Sequence, residues 1–236
     1  MIVSTDAVVL HGRKFGDTSR IVTLYTAEMG RLTVVAKGVR TPKSPFGSAL
    51  EPLSIIRATV YVKAGRDLHT VSAAEPLLRL STLQSSYDHL TAGLLVAELF
   101  MRTQTDGQKD GMALDVLQSG IVDLNTSTAP YATSVRLRLS LADVMGFGLP
   151  ECPLPTTSVV RIDPRDGLAR PDPAPGIRMS ATAFMRMTHA VLHPGELLPD
   201  VDFSASDRLE IESFLAAYFS WHLDRRLTLR SPDVLR

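Results

Sequence analysis

Residues 7–37 read AVVLHGRKFGDTSRIVTLYTAEMGRLTVVAK, and the fold is decided here. Three runs rich in β-branched residues, 7–15, 20–26 and 31–37, are separated by Gly16-Asp17 and Met29-Gly30. Such pairs mark turns, so the stretch predicts three short strands. Downstream, 54–63 and 67–72 read as two further strands, broken from the first three by the loop 42–47 and from each other at Gly65. Five short strands at these spacings suit a small closed or partly open β-barrel of the OB type.

Beyond about Pro76 the hydrophobic period changes from two to that of a helix. Residues 85–104 put Tyr87, Leu90, Leu94, Ala97 and Met101 on one face, and 111–124 do the same with Leu114, Leu117, Ile121 and Leu124. Residues 130–147 are apolar around much of their circumference, as a helix central to a bundle would be. Ser180 is positioned to cap a helix through about Leu192, stopped by His193-Pro194-Gly195. A last helix spans about 204–227, its early acids Asp207, Glu210 and Glu212 and late Arg225-Arg226 suiting the helix dipole. Between these helices, 150–176 holds seven prolines and reads as irregular. The fold class expected is α+β and multidomain: a five-stranded OB-fold barrel over 1–76, then a helical domain over 77–236 with a Pro-rich irregular insertion at about 149–178.

The chain has 236 residues, 44% of them hydrophobic, which is ample for a packed core. No apolar run is long enough to cross a bilayer, and the N-terminus has no basic leader, so a cytoplasmic protein is expected. The lone Cys152 excludes an internal disulfide. A net charge of zero conceals an asymmetry. Residues 1–80 carry eleven Lys and Arg against six Asp and Glu, a net +5, and the remainder carries −5. A basic segment of this kind points to a polyanion partner; a chance distribution is the competing reading.

Strand parity sharpens the first possibility. Arg57, Thr59, Tyr61 and Lys63 share one face, opposite Ala58, Val60 and Val62; Arg31 and Lys37 share another, opposite Leu32, Val34 and Ala36. The loop 36–44 adds Lys37, Arg40 and Lys43 with no acid between them, and Arg13, Lys14 and Arg66 complete the basic set. Cations that track phosphates beside an aromatic on which bases stack are what single-strand binding requires. A solvated outer barrel face would carry the same pattern.

No catalytic arrangement stands out. There is no P-loop, G-x-G-x-x-G or G-x-S-x-G. His189 and His193 have helical i, i+4 spacing but lack the glutamate of H-E-x-x-H, and read as a helix end rather than a metal site. Glu98 reads as a structural carboxylate, and Cys152 has no basic sequence neighbour to activate it. No enzyme, catalytic residue, cofactor or metal is expected. Arg136 and Arg138, on an otherwise apolar helix, could hold a partner's acidic C-terminal peptide; structurally paired arginines are the alternative.

Taken in order, these residues resemble the RecO family. The likeness lies in TDAVVLHGRKFGDTSRIVTLYTAEMGRLTVVAKGVR, then TPKSPFGSALEPLS and AGRDLHTVSAAEP. FGDTS, the G-x-x-x-x-x-A-K-G-x-R run from Gly30 to Arg40, Lys43-Ser44 and LEPL are the most specific parts, and WHLDRRLTLRS is similar to the family's closing segment. The resemblance implies an OB-fold packed against a helical domain. It further implies a non-enzymatic DNA-repair mediator that binds single- and double-stranded DNA and anneals complementary strands. Such a mediator acts with RecR, often with RecF, and helps RecA displace single-strand-binding protein. Arg136 falls where a family arginine contacts that protein's acidic tail. The alternative function is an adaptor that recruits RecR and touches DNA little. One departure concerns zinc. Many relatives carry a C-x-x-C…C-x-x-C module; here Cys152 remains, while Pro155, Arg170 and Pro173 occupy the other ligand places, so the module is degenerate.

Overall fold

The structure is a computed structural model describing residues 1–41, 44–153, 155–193, 195–196, 198–200 and 203–224. The chain forms two compact units, Met1–Asn125 and Thr126–Arg236.

In the first unit, β1 (Ile2–Phe15), β2 (Ser19–Thr26), β3 (Gly30–Ala36), β4 (Ile55–Tyr61) and β5 (Leu68–Pro76) close into a barrel of order β1-β2-β3-β5-β4. The five expected strands are all present, with β1 starting earlier and β5 running further. Neighbours are antiparallel except β3 and β5, which are parallel. Closure depends on β1. Its first part pairs with β4 from Ile2↔Tyr61 to Val8↔Ile55, and its later part pairs with β2 through Arg13↔Ile21. A register shift between Val9 and His11 bends the strand so that it can serve both neighbours. Alternation fills the interior with Ala7, Val9, Val22, Leu24, Leu32, Val34, Ala58 and Val60.

After Pro76 the first unit continues as α1 (Ser81–Ser85), α2 (Tyr87–Thr103) and α3 (Gly111–Thr126). Helix α2 lies on β1. Tyr25 packs edge-to-face on Phe100 at 5.7 Å and donates its hydroxyl to Gln104 Oε1 at 2.9 Å. Burial first, and Asp110 second, push its phenol up to about 12. The segment after α2 presses on the β2–β3 turn at Gly30. That residue has φ +60°, and a Cβ there would lie 1.9 Å from the Gln108 carbonyl oxygen. Gly30→Ala should therefore cost about 2 kcal/mol or more, from the left-handed backbone plus the clash. Urea unfolding measures it; an unchanged midpoint would contradict the packing.

The second unit holds α4 (Pro130–Val144), β6 (Val159–Ile162), β7 (Ala169–Pro171), β8 (Ile177–Ser180), α5 (Ala181–Leu192) and α6 (Ala205–His222). Its helix ends are closed by side chains. The Asp200 carboxylate accepts from the N–H groups of Tyr131 at 2.8 Å and Ala132 at 3.1 Å, capping α4. Ser180 accepts from Ala183 N–H at the start of α5, and Ser204 and Asp207 form a reciprocal capping box on α6. The Pro-rich stretch differs from expectation. Residues 159–180 contain a three-stranded antiparallel sheet of order β7-β6-β8. Its central strand, VVRI, carries no proline. Pro171 ends an edge strand, and Pro173 and Pro175 lie in the β7–β8 connection, where no ladder N–H is needed. Arg225-Arg226 of the expected last helix, and the closing segment from residue 225, lie outside the described residues.

Candidate nucleic-acid interface

Because directly opposite residues share a face of a sheet, the register defines the barrel's outer surface. One row through all five strands runs Arg13↔Ile21↔Val35↔Thr70↔Tyr61. The neighbouring row runs His11↔Thr23↔Thr33↔Leu68. Tyr61 is 46% exposed. Near one end of the row stand the exposed Arg13 and Lys37, with the exposed Lys14 on the opposite parity of β1; near the other, around the β4–β5 turn, stand Tyr61, Lys63 and Arg66. Arg13, Lys14, Lys37, Lys63 and Arg66 have no carboxylate partner among the described residues.

Three of the expected cations are engaged. Arg31 Nε binds Asp106 Oδ1 at 2.5 Å, and its guanidinium also reaches the Met101 carbonyl. It ties the barrel to the segment after α2 rather than standing free on the face. Arg57 sits on the outer side of β4, as parity requires, but forks onto Asp6, its cross-strand partner, at 2.8 and 3.2 Å. That contact raises the Arg57 pKa further, and Asp6 cancels its charge locally. Arg40 donates to the carbonyls of Gly16 at 3.3 Å and Asp17 at 3.0 Å and has no carboxylate partner among the described residues. Lys43 lies outside the described residues. Phe15 was not among the expected residues, yet it is 48% exposed and shares the outward parity of Arg13.

In the second unit, Arg138 departs from the expected peptide contact. Its side chain is 0% exposed and grips Glu212 of α6 through two bonds of 2.6 and 2.8 Å. Tyr131 donates to the same carboxylate at 3.1 Å, and Arg208 lies over the Tyr131 ring at 4.4 Å. Burial lowers the guanidinium's basicity, but Glu212 more than restores it, so Arg138 stays charged. It holds α4 to α6 and offers no surface to a ligand. Arg136 is half-buried on α4. Glu98 pairs with Arg102 one turn on, at 2.7 Å. His189 and His193 approach to 4.6 Å between ring centres, but among the described residues no set of three or more His, Cys, Asp or Glu is arranged to hold a metal. The degenerate zinc module does not fit the ion. Cys152 offers one thiol, its Sγ 4.0 Å from the Gly167 carbonyl; prolines stand at 155 and 173, and the Arg170 guanidinium is paired with Asp166.

Comparison with known proteins agrees with the barrel. A family model described as Recombination protein O N terminal matches residues 1–78. A DNA repair protein RecO of Salinibacter ruber is 34% identical over 151 residues, covering 61% of this chain and 56% of that protein. Those of Roseiflexus sp. and Nocardioides sp. are each 28% identical, over 95% and 96% of this chain and 82% and 97% of theirs. Residues 1–78 thus match the RecO N-terminal family. Over nearly its whole length the chain is similar to proteins named DNA repair protein RecO. No helix of the described residues is long and apolar enough to cross a membrane.

Proposed function

We propose that the protein binds single- and double-stranded DNA on the barrel's outer face and anneals complementary strands without nucleotide hydrolysis. The observation that carries this reading is the outward ladder row from Arg13 to the exposed Tyr61, with exposed Arg13, Lys14 and Lys37 near one end and exposed Lys63 and Arg66 near the other. Cations held on a rigid sheet neutralise phosphates of two strands at once and so reduce their mutual repulsion. Base pairing then supplies the driving force. Tyr61 offers a ring on which any base can stack. The barrel, 1–76, would be the DNA-binding part, and the helices of 77–236 would serve partners. Kinship with RecO proteins supports RecR as a partner, with RecF and RecA in the same process. It also supports the acidic C-terminal tail of single-strand-binding protein as a ligand for Arg136.

The test is annealing of complementary oligonucleotides, bare and coated with single-strand-binding protein. The expected result is faster pairing of both by the protein alone. Binding and annealing that appear only after RecR is added would replace this reading with that of an adaptor.

A further inference from the structure

Granting the single-strand binding proposed above, we infer that the β1–β2 hairpin is a preorganised base-stacking element, with Phe15 as its stacking ring and Arg40 as its clamp. Phe15 ends β1 opposite Ser19 and leaves about half of its surface to solvent. This aromatic ring is presented to solvent at a hairpin tip, with the exposed Arg13 and Lys14 before it. A nucleobase with its phosphates matches both features: the ring takes the base, and the cations take the backbone. In the turn itself Asp17 is the one acid, and Arg40 engages its carbonyl rather than its carboxylate.

The clamp is what makes the tip usable. The Arg40 N–H donates to the Thr18 carbonyl at 3.0 Å, while its guanidinium reaches the carbonyls of Gly16 and Asp17. A single residue from the loop after β3 thus binds three consecutive carbonyls of the turn. Gly16 supplies the φ of +59° that the turn needs. A tip held in this way loses little entropy when a base docks. Arg40 therefore acts through the hairpin, as a positioning residue, and not chiefly as a phosphate contact.

The experiment is anisotropy titration of a fluorescent oligo-dT and of a duplex across a salt series, with the full chain. Phe15→Ala should bind oligo-dT about tenfold more weakly at every salt concentration, with an unchanged salt slope, because stacking releases no counterions. Phe15→Trp should bind like the parent, and its emission should be quenched by the strand. Duplex affinity should not change. Arg40→Lys keeps the charge, so a phosphate contact would survive it. As a clamp it should instead fail, with severalfold weaker oligo-dT binding and faster hydrogen exchange across residues 16–19. Equal oligo-dT affinity for Phe15→Ala and the parent overturns the stacking role. Arg40→Lys with parental affinity and exchange overturns the clamp. A parent protein that binds no oligo-dT would instead sink the binding reading itself.

Discussion

Glu212→Ala will destabilise the second unit by about 3–5 kcal/mol, because it leaves a fully buried guanidinium without its counter-charge. Arg138 has no exposed side-chain surface, and both of its close charge-assisted bonds go to Glu212. The change also removes the nearer acceptor of the Tyr131 hydroxyl, leaving the Arg208 carbonyl at 3.4 Å. Urea unfolding followed through Trp221, the chain's only tryptophan and a residue of α6, would measure the loss. An apolar pair, Arg138→Met with Glu212→Leu, should recover most of it, since neither charge then needs compensation. A loss below about 1 kcal/mol for Glu212→Ala, the value of an exposed pair, would contradict the structural role assigned to Arg138.

The second large effect concerns DNA. Replacing Lys14, Lys37, Lys63 and Arg66 together by alanine should weaken single-strand binding on the order of a hundredfold at low salt. The slope of log affinity against log salt should fall by about 3, at ~0.7 for each lost phosphate contact. All four side chains are exposed, so folding should be retained. Arg31→Ala and Arg57→Ala, by contrast, should change the slope little, because Asp106 and Asp6 already occupy those guanidinium groups. If the paired arginines altered the slope and the four free cations did not, the face would be wrongly assigned.

This contrast shows what the sequence can and cannot carry. Strand alternation identifies the outward side of β4, and Arg57 and Tyr61 do lie there, with Ala58 and Val60 inside. Alternation cannot show that Asp6 faces Arg57 across the ladder, or that Asp106 returns from 75 residues away to take Arg31. Glu212 reaches Arg138 over a similar distance, which turns an apparent surface cation into a core one. Phe15 was hidden by local geometry. Counted from the inward Ala7 and Val9, positions 11, 13 and 15 would also point inward. The register shift after Val9 reverses that parity, leaving Gly12 opposite the core residue Val22 and turning Arg13 and Phe15 outward. The small sheet of the second unit was masked by composition. Strands of three or four residues give too few alternations to outweigh the prolines around them. The longer helices were found, and Ser180 and Ser204 cap two of them, but the packed face of α2 was misplaced. Tyr87 is exposed and Leu90, Leu94 and Met101 only half-buried, whereas Leu95, Val96, Leu99 and Phe100 are buried. An apolar run with more than one possible stripe does not say which one meets the barrel.

The central claim is a location: DNA lies across the barrel face between the β1–β2 hairpin and the β4–β5 turn. Hydrogen exchange of the full chain, with and without a saturating single-stranded oligonucleotide, tests it most directly. Protection is predicted at residues 13–19, 37–41 and 61–70. Protection confined to α4–α6, with the barrel unchanged, would contradict it.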